Sequence, residues 1–168
     1  KYRYRQNIFL ERFLKGVPMN SRERVTKVLK QEEVDVIPRH LWTLPGVNMF
    51  RKRELDEVLR KYPNDIATPV YKYGYGKKCR GNPSRKGVYV DAWGSVWHVG
   101  EDGVIGEVKE FPLAEWSALD TYKLPWELLE EADMSEVNRS CAQSDKFMLA
   151  NTETRPFERM QFLRGTEN

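Results

Sequence analysis

Apolar positions recur along this chain with two periods. After Asn20, the apolar residues Val25, Val28 and Leu29 fall on one helical stripe, and Asn20 and Glu23 have the spacing of a reciprocal N-terminal cap. Val34–Trp42 (VDVIPRHLW) opens with β-branched residues and reads as a strand, with Pro38 awkward for a central position. Val47–Tyr62 reads as one helix with Leu55, Val58, Leu59 and Tyr62 on a shared face and Pro63 as its terminator. Ile66–Val70 is a short extended run.

Tyr71–Gly87 (YKYGYGKKCRGNPSRKG) is a loop by composition. Val88–Trp93 and Ser95–Val99 then alternate around Gly94, and Asp102-Gly103 marks a hairpin before Val104–Phe111. This predicts a small antiparallel meander over about residues 88–111. Pro112 to Pro125 is a connector with a helical turn, and Trp126–Asp133 and Met134–Ser144 read as helical. Lys146–Asn151 (KFMLAN) reads as a buried strand, and Arg155-Pro156 opens a last helix through Leu163 with the proline near its first position.

Strand, helix, excursion, strand, helix implies βαβ units and a parallel sheet. Two main strands leave such a sheet unfinished, so further strands are expected beyond Asn168, and the chain alone is not expected to be a competent catalyst.

Composition adds limits. The 168 residues are 40% hydrophobic and 32% charged, enough for one core, with no apolar run of membrane-spanning length and no signal-peptide apolar region. Cys79 and Cys141 lie far apart and form no disulfide framework, so a reduced, cytoplasmic setting is expected. The net charge of +3 belongs to residues 1–18: Lys1, Arg3, Arg5, Arg12 and Lys15 against Glu11 give 5 − 1 = +4, leaving −1 for the rest. A neutral body argues against nucleic-acid binding. Residues 1–18 form an extension whose Ile8, Phe9, Leu10, Phe13 and Leu14 suit a short amphipathic docking or membrane-binding helix, and Met19 resembles a native start.

Several stretches resemble the uroporphyrinogen-decarboxylase-like superfamily. These are Met19–Val25 with Val34–Pro38, then Asp91-Ala92-Trp93-Gly94-Ser95-Val96-Trp97 against a D-x-W-G-x-x-W segment. Pro112–Trp116 and Leu119–Pro125 resemble the linker that follows, and Phe157–Gly165 the helix after the second barrel strand. The resemblance spans residues 19–168 and implies the N-terminal part of an α/β (β/α)8 barrel with an inserted meander. True decarboxylases of the family, which serve porphyrin biosynthesis, carry an arginine-rich R-Q-A-G-R segment after the first strand. Here that stretch is Arg39-His40-Leu41-Trp42-Thr43-Leu44-Pro45, without the motif. The resemblance therefore implies the corrinoid-dependent methyltransferase branch. That branch brings zinc, held by His and Cys residues that would lie past Asn168, and a corrinoid or corrinoid protein as partner. Uroporphyrinogen decarboxylation, and a non-catalytic truncated or self-associating interaction protein, are the alternatives.

A barrel of this kind works at the C-terminal ends of its strands. That points to His40, Arg39, Trp42 and Thr43 after the first strand, and to Asn151, Thr152, Glu153 and Arg155 after the second. His40 is a proton donor or substrate contact, or else a structural histidine. Glu153 is an acid at the substrate, or a cap for the following helix. Arg39, Trp42 and Asn151 are substrate contacts, Asn151 alternatively a turn former. Arg155 holds a carboxylate or phosphate, or forms a surface ion pair. Trp93 and Trp97 share a strand face and wall a flat ligand or pack the meander, with His98 turned away. The cations Lys72, Lys77, Lys78, Arg80, Arg85 and Lys86 attract an anion or are simply solvated, and no metal-ligand spacing is visible among His40, His98, Cys79 and Cys141.

Overall fold

The computed structural model of the chain describes residues 18–152 and 154–167. The fold is mixed α/β with two small sheets, one parallel and one antiparallel. Helix α1 spans Ser21–Leu29 and starts as its sequence predicts: the Asn20 side chain accepts from the Glu23 amide while Glu23 accepts from the Asn20 amide. The predicted helix over 47–62 is two, α2 (Pro45–Phe50) and α3 (Lys52–Lys61), broken at Arg51 with φ −131°. Pro45 sets the start of α2, where a missing N–H costs nothing.

The strand expected at Val34–Trp42 does not form. Its backbone donors go to side chains instead of a neighbouring strand: Val36 N–H to Asp35, Arg39 N–H to Asp65 and Leu41 N–H to Asn64, each at 2.8 Å. Pro38 has no donor to offer. The first parallel strand is instead β1 (Ile66–Ala67), within the run read only as extended. After the meander strands β2 (Gly87–Val90), β3 (Val96–Val99) and β4 (Glu107–Glu110) come a 3₁₀ turn (Trp116–Asp120) and helices α4 (Glu127–Glu130) and α5 (Val137–Gln143). Strand β5 (Phe147–Met148) then pairs in parallel with β1, Ile66 opposite Phe147, and helix α6 spans Pro156–Arg164.

The chain divides into two compact units. One unit contains the described residues up to Leu41, with Val58–Pro69 and Val137–Ala150. It holds α1, the β1–β5 pair and α5. Arg24 is its centre, donating to Asp35 at 2.7 and 2.9 Å, to Asp65, and to the Met19 carbonyl at 2.8 Å. Arg22 reaches the carbonyls of Cys141 (2.8 Å) and Ser144 (2.7 Å), neutralising the C-terminal end of α5.

The second unit contains Trp42–Glu57, Val70–Glu136 and the residues from Asn151 onward. Its meander is antiparallel in the order β2-β3-β4, as the period-2 pattern predicts, and the structure sets its register with Tyr89 opposite Trp97 and Trp97 opposite Val108. One face buries Trp97, Val99 and Val108, while His98 is exposed on the other. The Trp97 ring stacks on Tyr89 at 5.6 Å and meets Phe162 of α6 edge-on at 4.7 Å.

Candidate functional site

Trp93 is not in a strand. It sits in the turn between β2 and β3, which Gly94 closes with φ +91°, a conformation suited to glycine. Asp91 organises that turn. One carboxylate oxygen accepts from the Trp93 (3.0 Å) and Ser95 (2.9 Å) amides, the other from the Trp97 indole (3.1 Å) and the Arg159 guanidinium (3.1 Å). Arg159, buried on α6, lies 4.7 Å from the centre of the Trp93 ring. Fully buried Ser95 donates to the Phe162 carbonyl at 2.9 Å, and the Tyr122 hydroxyl donates to the Trp93 carbonyl at 2.7 Å. Burial, helped by the Asp91 charge, pushes the Tyr122 hydroxyl up to about 12, so it remains a donor at neutral pH.

The connector joins the same helix. Leu113 N–H donates to the Leu163 carbonyl (2.8 Å), Arg164 donates back to the Leu113 carbonyl (2.8 Å), and Arg164 lies 3.9 Å over the Trp116 ring. Segments 91–97, 112–122 and 157–165 thus meet around α6.

Beside this cluster a cleft of about 230 Å³ opens within the second unit. Tyr73, Trp93 and Trp126 bring aromatic walls, Leu124, Pro125, Leu128 and Leu129 aliphatic surface, and Thr152 and Thr154 hydroxyls. No charged side chain lines it among the described residues. Tyr71 fixes the approach to Thr152: its hydroxyl donates to the Asn151 carbonyl and accepts from the Asn151 amide, both at 3.1 Å. The glycines of the preceding loop permit this packing. A Cβ on Gly74 would fall 2.1 Å from the Glu127 carbonyl oxygen of α4, and one on Gly76 would fall 2.2 Å from the Ala92 Cβ.

The expected site residues separate. Arg39 and His40 are exposed in the first unit, where the Arg39 guanidinium sits 5.4 Å over Tyr62. The strand whose end they were to mark is absent. Trp42, Trp93, Asn151 and Arg155 belong to the second unit. Trp42 is 85% exposed, Asn151 contributes backbone contacts to Tyr71, and Arg155 precedes α6 with φ 38° and pairs with Glu158 at 3.5 Å on the surface. Glu153 lies outside the described residues. Trp93 and Thr152 are the predicted positions that line the cleft. Trp126 and the Asp91–Arg159 pair are not marked by the sequence as site residues, and Tyr73 stands out there only as one of the loop tyrosines Tyr71, Tyr73 and Tyr75 that could stack on nucleic-acid bases. The Pro125-Trp126 step at the head of a short helix was the available signal for the second tryptophan.

The basic loop is largely engaged internally. Lys78 donates to the Lys123 carbonyl (2.7 Å) above the Tyr122 ring, Arg80 to the Lys77 and Cys79 carbonyls (2.9 and 2.7 Å), and Arg85 pairs with Asp102 (2.7 Å). Burial raises the Cys79 thiol above its ordinary value, against a nucleophilic role. A broader groove of about 530 Å³ lies on the outward side of the meander, between Lys86, Val88, His98, Ile105, Glu107 and Lys109. Its Lys109 is engaged by Glu107 at 2.7 Å, and of the residues expected to meet a ligand it contains Lys86 of the basic loop. Among the described residues no three His, Cys, Asp or Glu side chains converge as a metal site, and no helix is long and apolar enough to cross a membrane. No protein-family model, curated protein or solved structure matches the chain.

Proposed function

We propose that this chain is the small-molecule-binding part of a uroporphyrinogen-decarboxylase-like enzyme that transfers a methyl group to or from a corrinoid. One observation carries the reading. The segments that resemble that superfamily, Asp91–Trp97, the connector from Pro112 and Phe157–Gly165, are separate in sequence yet pack around α6. Beside them lies the Trp93 cleft. On this reading the parallel pairing of β1 and β5 belongs to a (β/α)8 barrel, with the meander as its insertion.

The size of the cleft limits the ligand. At about 230 Å³ it falls below the roughly 300–1,000 Å³ of sites that enclose drug-sized molecules. It suits a small methyl donor or acceptor and does not enclose a macrocycle. Trp126 and Leu129, 59% and 61% exposed, offer a flat corrinoid an apolar edge. Among the described residues no group of three His, Cys, Asp or Glu side chains offers a zinc ligand set. Tetrapyrrole decarboxylation is the weaker alternative: it demands cations for many carboxylates, and the cleft lining has none among the described residues.

Equilibrium dialysis against methylcobalamin and against uroporphyrin tests this reading. Retention of the corrinoid, weakened by Trp126→Leu, is the expected result. Retention of the porphyrin alone would transfer the chain to decarboxylation, and retention of neither by folded protein would defeat both.

A further inference from the structure

We infer that the Trp93 cleft takes a quaternary ammonium group. This rests on the small-molecule reading above and names the ligand class.

Three aromatic side chains reach the cleft from three separate places: Tyr73 from the glycine-rich loop, Trp93 from the β2–β3 turn and Trp126 from the head of α4. Aromatic faces carry negative potential and attract cations, and walls of this kind are how proteins hold quaternary ammonium groups. The rest of the lining sharpens the choice. An anion would find no lysine or arginine there among the described residues, so its desolvation would go uncompensated. A primary ammonium carries three N–H donors, and Thr152 and Thr154 are poor replacements for its water shell. A quaternary ammonium has no N–H to satisfy. It presents methyl groups to Leu124 and Leu129 and a diffuse positive charge to the rings.

Arg159 does not oppose this. Its guanidinium lies 4.7 Å from the Trp93 ring centre but is paired with Asp91 at 3.1 Å, so its charge is compensated in place. The same contact fixes the indole, and a fixed wall binds with less ordering cost than a mobile one.

The test uses choline and its uncharged isostere 3,3-dimethylbutan-1-ol, which share shape and differ in charge. Binding to the full chain is followed by calorimetry and by tryptophan fluorescence. Choline is expected to bind about tenfold more tightly than the isostere, the fold-change corresponding to a cation–π contribution of about 1.4 kcal/mol. Trp126→Leu should abolish that preference and Trp126→Phe should keep part of it. Trp126 is more than half exposed, so circular dichroism should show both variants folded. Equal binding of the two ligands overturns the inference and leaves an apolar small-molecule cleft. Choline binding unchanged in Trp126→Leu also overturns it, by moving the ligand elsewhere. Binding of neither ligand would remove the small-molecule cleft itself.

Discussion

Asp91 shows how much one side chain can organise. Its two oxygens hold two backbone amides, an indole and a guanidinium at 2.9–3.1 Å, fixing turn, strand and helix at once. Removing it leaves Arg159, 11% exposed at its side chain, without that carboxylate. Asp91→Ala should therefore lower stability by about 3 kcal/mol, the lower end for breaking a buried ion pair from one side. The exposed Arg85–Asp102 pair is the contrast, and Asp102→Ala should change stability by no more than about 1 kcal/mol from the pair itself. Urea denaturation of the two variants checks both values, and equal midpoints would show that Asp91 is not the organising residue.

At the scale of elements, α1 is tied down by charge. Arg24 holds Asp35 and Asp65, and its hydrogen bond lowers the Asp35 carboxyl from an ordinary 3.8 to about 2. Asp65 is lowered as well: burial works to raise it, but the Arg39 amide, Ser21 and Arg24 outweigh that. A carboxyl lowered by folding stabilises the folded state fully only well above its unfolded value. The contribution from Asp35 should thus be intact near neutral pH and fade as pH falls from about 4 to about 2. Thermal melts across that range should show a falling midpoint in the native chain and a flatter profile in Asp35→Asn. Parallel profiles would mean that Asp35 does not contribute to the acid response. The same carboxylates explain the missing strand at 34–42, because Asp35 and Asp65 take backbone donors that a ladder would need.

For the molecule as a whole, apolar surface is abundant. Among the described residues the buried apolar side chains are Val25, Trp97, Val99 and Val108, whereas Ile37, Trp42, Phe157 and Leu29 are 68–85% exposed. Apolar surface on that scale favours association. Sedimentation velocity should show a coefficient that rises with protein concentration and falls back in moderate salt-free urea below the unfolding transition. A monomer across the concentration range would contradict this expectation.

Local chemistry was legible from the sequence wherever the deciding partner is near in the chain. The Asn20–Glu23 cap, Pro156 at the head of α6 and the meander over 87–110 rest on contacts within a few residues or between consecutive strands. Tertiary structure decided the rest, because the deciding partners lie far apart. Arg24 finds Asp65 across 41 positions and Arg159 finds Asp91 across 68, and no periodicity records such a meeting. The run at 34–42 had strand composition but lost donors to Asp35 within it and to Asn64 and Asp65 beyond it. Trp93 could be marked from the sequence as a ligand wall. That Tyr73 and Trp126 join it in one cleft, uncharged among the described residues, was decided by a loop whose Gly74 and Gly76 leave no room for a Cβ.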